Sequence, residues 1–189
     1  SRGDYSSLHL ENFKLMHAML KTVLLVTGQY KRARENTMDY HVEKHDVHLP
    51  RSNSRLKGFQ ILQITDLHLD AIPDQGGKLN HLINKTNADL LVMTGDFRFH
   101  DYGDYYQISK IFHDFVKGFD FPHGMYGILG NHDFIETVPL IEDLGIRMLI
   151  NEKEMLNING AHLLLSGIDD AHFYNCHKIP TIDDQSSSS

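Results

Sequence analysis

The stretch Gly130-Asn131-His132-Asp133 constrains this chain more than any other, because it sets three metal-binding or proton-moving side chains directly after the apolar run Met125 to Leu129. Two earlier runs end the same way: Ile61 to Thr65 opens into Asp66-Leu67-His68, and Leu90 to Thr94 opens into Gly95-Asp96. Apolar runs that each discharge a carboxylate, imidazole or amide at their carboxyl ends predict neighbouring buried parallel strands. The crevice outside those carboxyl ends is where open α/β sheets bind ligands.

The segments between the runs carry helical spacing, at 78–86 and at 105–116, where Ile108, Ile111, Phe112 and Phe115 share a face. This β-α-β-α-β rhythm predicts a parallel sheet covered by helices. A further helix is expected at Ile135 to Leu144, followed by a tight hairpin in which Glu154 to Ile158 and Ala161 to Ser166 flank Asn159-Gly160. Antiparallel strands after a parallel start predict a second sheet packed on the first.

Upstream, Phe13, Met16, Leu20, Val23, Leu24 and Thr27 place a helix within 8–27, and Lys31-Arg32-Ala33-Arg34 follows it. The run is too short to span a bilayer, which takes roughly 20 apolar residues. Two readings stay open: a helix packed on its own domain, or an apolar face beside a basic cluster lying on an anionic membrane surface. A strand is expected in 38–49 before Pro50. The domain organisation expected is an amphipathic helix and basic segment at 1–37, one α/β domain at 38–185, and a serine tail at 186–189.

With 189 residues, 41% hydrophobic and 23% charged, the chain reads as a single globular domain with a proper core. Its formal net charge of -7 gives no indication of nucleic acid as a partner. The lone Cys176 excludes an internal disulfide and a cysteine-based zinc site.

Asp66 and His68 lie two apart, so on an extended segment both point the same way and can hold one divalent cation. Asp96 brings a second carboxylate whose two oxygens could serve two cations. Asn131 adds an amide oxygen, a hard donor. Two cations about 3.5–4 Å apart can clamp the attacking and leaving oxygens of a displacement at phosphorus. Asp133 is either a partner that orients a neighbouring ligand or a helix N-cap before Phe134; Asp70 is a turn residue or an outer acid. The aromatic cluster Phe97, Phe99, Tyr102, Tyr105 and Tyr106 either walls the crevice or packs the core.

Together, Asp66-Leu67-His68, Gly95-Asp96 and Gly130-Asn131-His132-Asp133 resemble the first three motifs of the calcineurin-like metallophosphoesterase family, over roughly Phe59 to Asp170. The resemblance implies a two-sheet α-β-β-α sandwich and hydrolysis of a phosphoester by a hydroxide bound between two divalent metal ions of Mn, Fe or Zn type. It implies a first metal on Asp66, His68 and Asp96, a second on Asp96 and Asn131, and His132 facing the leaving group. The family's later Gly-His and Gly-His-x-His motifs do not occur after Asp133; the histidines there are His162, expected to be structural, and His172 and His177, which could reach a metal. The expectation is a second sheet that stops short, a half-built second metal site and little or no hydrolysis by the chain itself. A catalytically dead relative that binds a partner or a single cation is the alternative, and the location expected is cytoplasmic or membrane-peripheral.

Overall fold

A computed structural model describes residues 14–48, 54–99 and 105–168. The chain divides into two compact units, 1–41 and 42–189.

In the first unit, α1 (Lys14–Val26) is followed by α2 (Tyr30–Asn36). The helix expected within 8–27 is thus present over the described part of that span, and α2 is an addition: the basic cluster Lys31 to Arg34 forms a helix of its own. A Schellman motif closes α1, with Gly28 N–H donating to the Leu25 carbonyl at 3.1 Å and Gln29 N–H to the Leu24 carbonyl at 2.9 Å.

The second unit is mixed α/β. Its strands β1 (Ile61–Ile64), β2 (Leu90–Thr94), β3 (Met125–Ile128) and β4 (Ile146–Met148) form a parallel sheet in the order β1-β2-β3-β4. The connections carry α3 (Gly77–Lys85), α4 (Tyr105–Val116) and α5 (Val138–Glu142). A two-stranded antiparallel hairpin, β5 (Lys153–Ile158) and β6 (Ala161–Ser166), turns at Asn159-Gly160 as expected.

Strand alternation builds the layers, because successive side chains leave opposite faces of a sheet. On β2, Leu91 and Met93 join Ile83, Phe112, Phe115 and Ile141 in the core beneath the helices. Leu90 and Val92 point the other way and pack with Tyr126, Ile128, Leu156 and Leu165 against the hairpin. The sheet is therefore covered by helices on one face and by the hairpin on the other.

Three expectations are corrected. Residues 38–48 form no regular strand. The first strand is not buried: β1 is the sheet edge, alternating exposed and half-buried, and Ile61 is 49% exposed. The helix expected over 135–144 is a 3-10 turn, Ile135–Thr137, running into the five-residue α5, which has Pro139 in its first turn. The strand β4 was not anticipated, since three residues are too few to display a period.

Polar ties hold the layers in register. The Asp89 carboxylate accepts the Gln60 N–H at 2.7 Å, joining the starts of β1 and β2. From β3, the Tyr126 hydroxyl donates to Glu154 Oε1 at 2.8 Å on β5. Arg147 on β4 reaches Glu142 on α5 at 3.0 Å and Glu154 at 3.5 Å.

Burial first, and then the hydrogen bond to Glu154, push the Tyr126 phenol up to about 12 from its ordinary 10.0. Below pH 10 the phenol is protonated in both the folded and unfolded chains. Between pH 10 and 12 the unfolded chain releases the proton first, so this contribution to stability fades as pH rises through that window. Tyr126→Phe should cost about 1–2 kcal/mol near neutral pH. The gap between parent and variant in urea midpoint should narrow from pH 9 to pH 11.

Candidate metal centre

The three loops that leave β1, β2 and β3 at their carboxyl ends meet at one place. Ligand atoms of Asp66, His68 and Asp96 all lie within 4.8 Å of one another. They are the only group of three or more His, Cys, Asp or Glu so arranged among the described residues.

The side chains converge by a route different from the one the two-residue spacing suggests. Residues 65–68 are not extended strand: Asp66 has φ 52°, His68 φ 41° and, on the neighbouring loop, Asp96 φ 56°. A non-glycine residue in the left-handed region costs of order 1–3 kcal/mol and persists only where surrounding structure over-determines it. That structure is a ladder of backbone bonds. Asp66 N–H donates to the Gly95 carbonyl at 3.2 Å, His68 N–H to Asp96 at 2.9 Å and Leu69 N–H to Phe97 at 3.1 Å. Leu67 and Leu69, between and after the polar pair, are buried in the core, at 3% and 2% exposure. Apolar anchors alternating with polar side chains hold the loop rigid while exposing its donors.

The loops after β2 and β3 touch through glycine. A Cβ on Gly95, whose φ is 88°, would overlap the backbone N and Cα of Gly130, and a Cβ on Gly130 would overlap the Asp96 carboxylate. Both positions require the missing side chain.

Asp133 locks this contact. Its buried carboxylate accepts the N–H groups of Asp96 at 2.7 Å, Phe97 at 2.9 Å and Gly130 at 2.8 Å. The structure thus decides between the two sequence readings: Asp133 orients the ligand loop, whereas Phe134 is the residue at the helix N-cap, with no side-chain cap bond. Burial pushes the Asp133 carboxyl up to about 6, against the three N–H donors, which favour its charged form.

The two imidazoles have their tautomers set. His68 Nδ1 lies 3.0 Å from the Arg98 carbonyl and His132 Nδ1 3.1 Å from the Phe99 carbonyl. A carbonyl only accepts, so each Nδ1 carries the proton and Nε2 is the unprotonated nitrogen of the neutral ring. The rings stand edge to face at 5.2 Å between centroids. Phe99 stacks on His132, with centroids 5.8 Å apart and planes 13° apart, and meets the His68 ring edge-on at 5.4 Å. The His132 N–H donates to Asp96 Oδ1 at 3.0 Å, which fixes one oxygen of that carboxylate.

Asn131 occupies the same β3 loop and is exposed. The aromatic cluster divides: Phe97 is buried against Phe112 at 5.1 Å, Phe99 is at the site, Tyr102 lies outside the described residues, and nothing places the side chains of Tyr105 and Tyr106. His162 sits exposed on β6, while His172, His177 and Asp169-Asp170 lie outside the described residues. Sequence reasoning left Asp70 open; its carboxylate accepts the Phe99 N–H at 2.6 Å, and so holds the residue that stacks on His132. The anchoring carbonyls of Arg98 and Phe99 carry no side-chain signature and could not be found in a sequence.

Two carboxylates and an imidazole with a free Nε2 are donors for a divalent cation of the borderline-hard type. A donor set of this kind at the carboxyl ends of a parallel sheet is a candidate metal centre, and comparison with known proteins gives it a family. The chain belongs to the calcineurin-like phosphoesterase family, whose model matches residues 59–187. It is 27% identical over 160 residues, 80% of its length, to the metallophosphoesterase YkoQ of Bacillus subtilis, and covers 57% of that protein. It is 34% identical over 95 residues, 49% of its length, to the UDP-2,3-diacylglucosamine pyrophosphatase LpxG of Chlamydia muridarum, covering 28% of that protein. With the LpxG of Chlamydia trachomatis the identity is 35% over 92 residues, 48% of this chain and 27% of that one. The chain spans little more than half the length of the first of these relatives and less than a third of the others.

Asp133→Ala would strip three backbone N–H groups, one buried and two part-buried, of their acceptor, at about 1–3 kcal/mol for the buried one and less for the others. A loss of about 3 kcal/mol or more in chemical denaturation is expected, with weaker cation binding in calorimetric titration.

Proposed function

We propose that this chain carries the catalytic core of a metal-dependent phosphoester hydrolase with two divalent cations. One cation would be held by Asp66, His68 and Asp96, and the other by Asp96 and Asn131. The observation that carries the reading is the convergence of three ligand groups, all in left-handed backbone conformations, on the family's motif positions. Bound cations would supply Lewis-acid neutralisation of charge on the attacking and departing oxygens.

The chain's own residues do the rest. Asp96 has one oxygen held by the His132 N–H, which orients the carboxylate between the β1 and β3 loops. His132, with Nδ1–H committed to the Phe99 carbonyl, turns Nε2 toward the leaving oxygen, where the imidazolium form would give its Nε2 proton or offset developing charge. Phe99, stacked on that ring and held by Asp70, keeps Nε2 from swinging away and excludes water from one side. Substrates of the class named for the LpxG relatives, in which a diphosphate links two organic groups, fit a site with one side walled by an aromatic ring.

Calorimetric titration with Mn2+ and hydrolysis of a chromogenic aryl phosphodiester test the reading. Asp96→Asn should lose cation binding to a greater degree than His68→Ala, because it alone serves both positions. His132→Ala should bind the cation as the parent does and lose about a hundredfold or more in turnover. An Asp96→Asn variant that holds Mn2+ like the parent would overturn the assignment. Cation binding with no turnover in the parent would mark a binding-only relative.

A further inference from the structure

The peptide group between Arg98 and Phe99 is bonded at both of its polar ends to the loop that carries His68. Its C=O accepts from His68 Nδ1 at 3.0 Å, and its N–H donates to the Asp70 carboxylate at 2.6 Å. The C=O and N–H of a trans peptide point in opposite directions from one resonant plane. His68 and Asp70, two residues apart in the chain, therefore hold opposite edges of a single unit. The loop turns back to allow this: Ala71 N–H donates to the His68 carbonyl at 2.8 Å, which sets Asp70 at the third position of the turn. The backbone ladder from Asp66, His68 and Leu69 reaches Phe97, and the Asp70 side chain forms the rung beyond it.

A peptide group couples what is bonded at its two ends. A carboxylate on the N–H shifts electron density onto the carbonyl oxygen, so the two hydrogen bonds strengthen one another, by about 10–30% per bond. At 2.6 Å the Asp70 contact is shorter than the ~2.9 Å of an ordinary amide bond, as a charged acceptor makes it. The strengthened carbonyl takes the Nδ1 proton of His68 and leaves Nε2 the more basic donor for a cation. Metal-binding imidazoles commonly lean on a carboxylate or a carbonyl; here a carboxylate acts on the imidazole through the carbonyl. The next carbonyl, that of Phe99, accepts from His132 Nδ1 at 3.1 Å. The residue whose N–H Asp70 holds thus anchors the second ring as well. Asp70 and Phe99 are both half-buried, so water competes less for this contact than for an exposed one.

We propose that Asp70 is a positioning residue of the metal centre. Through the Arg98–Phe99 peptide it holds His68 in the Nδ1–H tautomer and raises the cation affinity of Nε2, and through the placement of Phe99 it holds His132 in the same tautomer. The affinity rests on His68 being a ligand, as the proposed function has it, whereas the tautomers are a property of the metal-free chain.

Nitrogen–proton NMR correlation spectra of the whole, metal-free chain with isotope-labelled histidine read the tautomers, the two rings being assigned from His68→Ala and His132→Ala. The parent should show Nδ1–H at both. Asp70→Ala removes acceptor and charge together, so it should mix the tautomers at His68 and, to a smaller extent, at His132. It should also weaken Mn2+ binding by about tenfold or more in calorimetric titration. Asp70→Asn keeps an acceptor oxygen without the charge; it should restore the tautomers and leave the affinity between those of the parent and Asp70→Ala. Unchanged tautomers in Asp70→Ala would overturn the proposal. So would an Asp70→Asn variant with the parent's full affinity, since capping a turn would then account for Asp70. Circular dichroism reports folding, and if Asp70→Ala does not fold the Asp70→Asn affinity decides alone. A parent that binds no Mn2+ would sink the hydrolytic reading and not this one, which mixed tautomers in Asp70→Ala would still support.

Discussion

The contact on which the site depends is the backbone-to-backbone approach of the β2 and β3 loops, sealed by one buried carboxylate. Asp133 collects N–H groups from Asp96, Phe97 and Gly130, so a single side chain fixes the direction in which both loops leave the sheet. The approach is close enough that neither Gly95 nor Gly130 tolerates a Cβ. A carboxylate satisfied by three backbone donors is worth far more as a positioning device than an exposed ion pair, because removing it would leave buried donors unmatched.

With the loops so placed, strain and electrostatics combine at the same three residues. Asp66, His68 and Asp96 each hold φ between 41° and 56°, and their ligand atoms crowd within 4.8 Å. Two carboxylates at such separation repel one another, and the left-handed backbone adds its own cost. The protein sustains both because the ladder from Asp66, His68 and Leu69 to residues 95–97 and the buried Leu67 and Leu69 leave the loop no easier conformation. A divalent cation would relieve the repulsion without requiring any of these side chains to move far, which is the meaning of a preorganised site.

The layers explain why the site tolerates such crowding. The parallel sheet is packed on both faces, by α3, α4 and α5 on one side and the β5–β6 hairpin on the other. The ligand groups gather at the carboxyl ends of β1 and β2, clear of both packed faces. The edge position of β1, exposed along one side, leaves the Asp66 loop at the rim while Asp96 and His132 sit deeper.

Local sequence determined a large share of this. Ile61 to Ile64, Leu90 to Thr94 and Met125 to Ile128 are apolar runs whose strand character follows from composition and from the polar residues that end them. Asn159-Gly160 specified its hairpin because a tight turn needs backbone conformations that few residues adopt. Asp66, His68 and Asp96, whose ligand atoms the fold brings within 4.8 Å of one another, were legible because each stands in a short polar stretch directly after an apolar run. Tertiary structure alone decided what depends on partners distant in the chain. The fourth strand, Ile146 to Met148, exists because β3 offers it an edge. The stretch 38–48 has no such edge and forms no strand despite its loose alternation. The role of Asp133, the tautomers of His68 and His132, and the positions of Asp70 and Phe99 rest on backbone groups some 30 residues away. Backbone donors and acceptors are identical at every residue, so only the fold determines which of them a side chain meets.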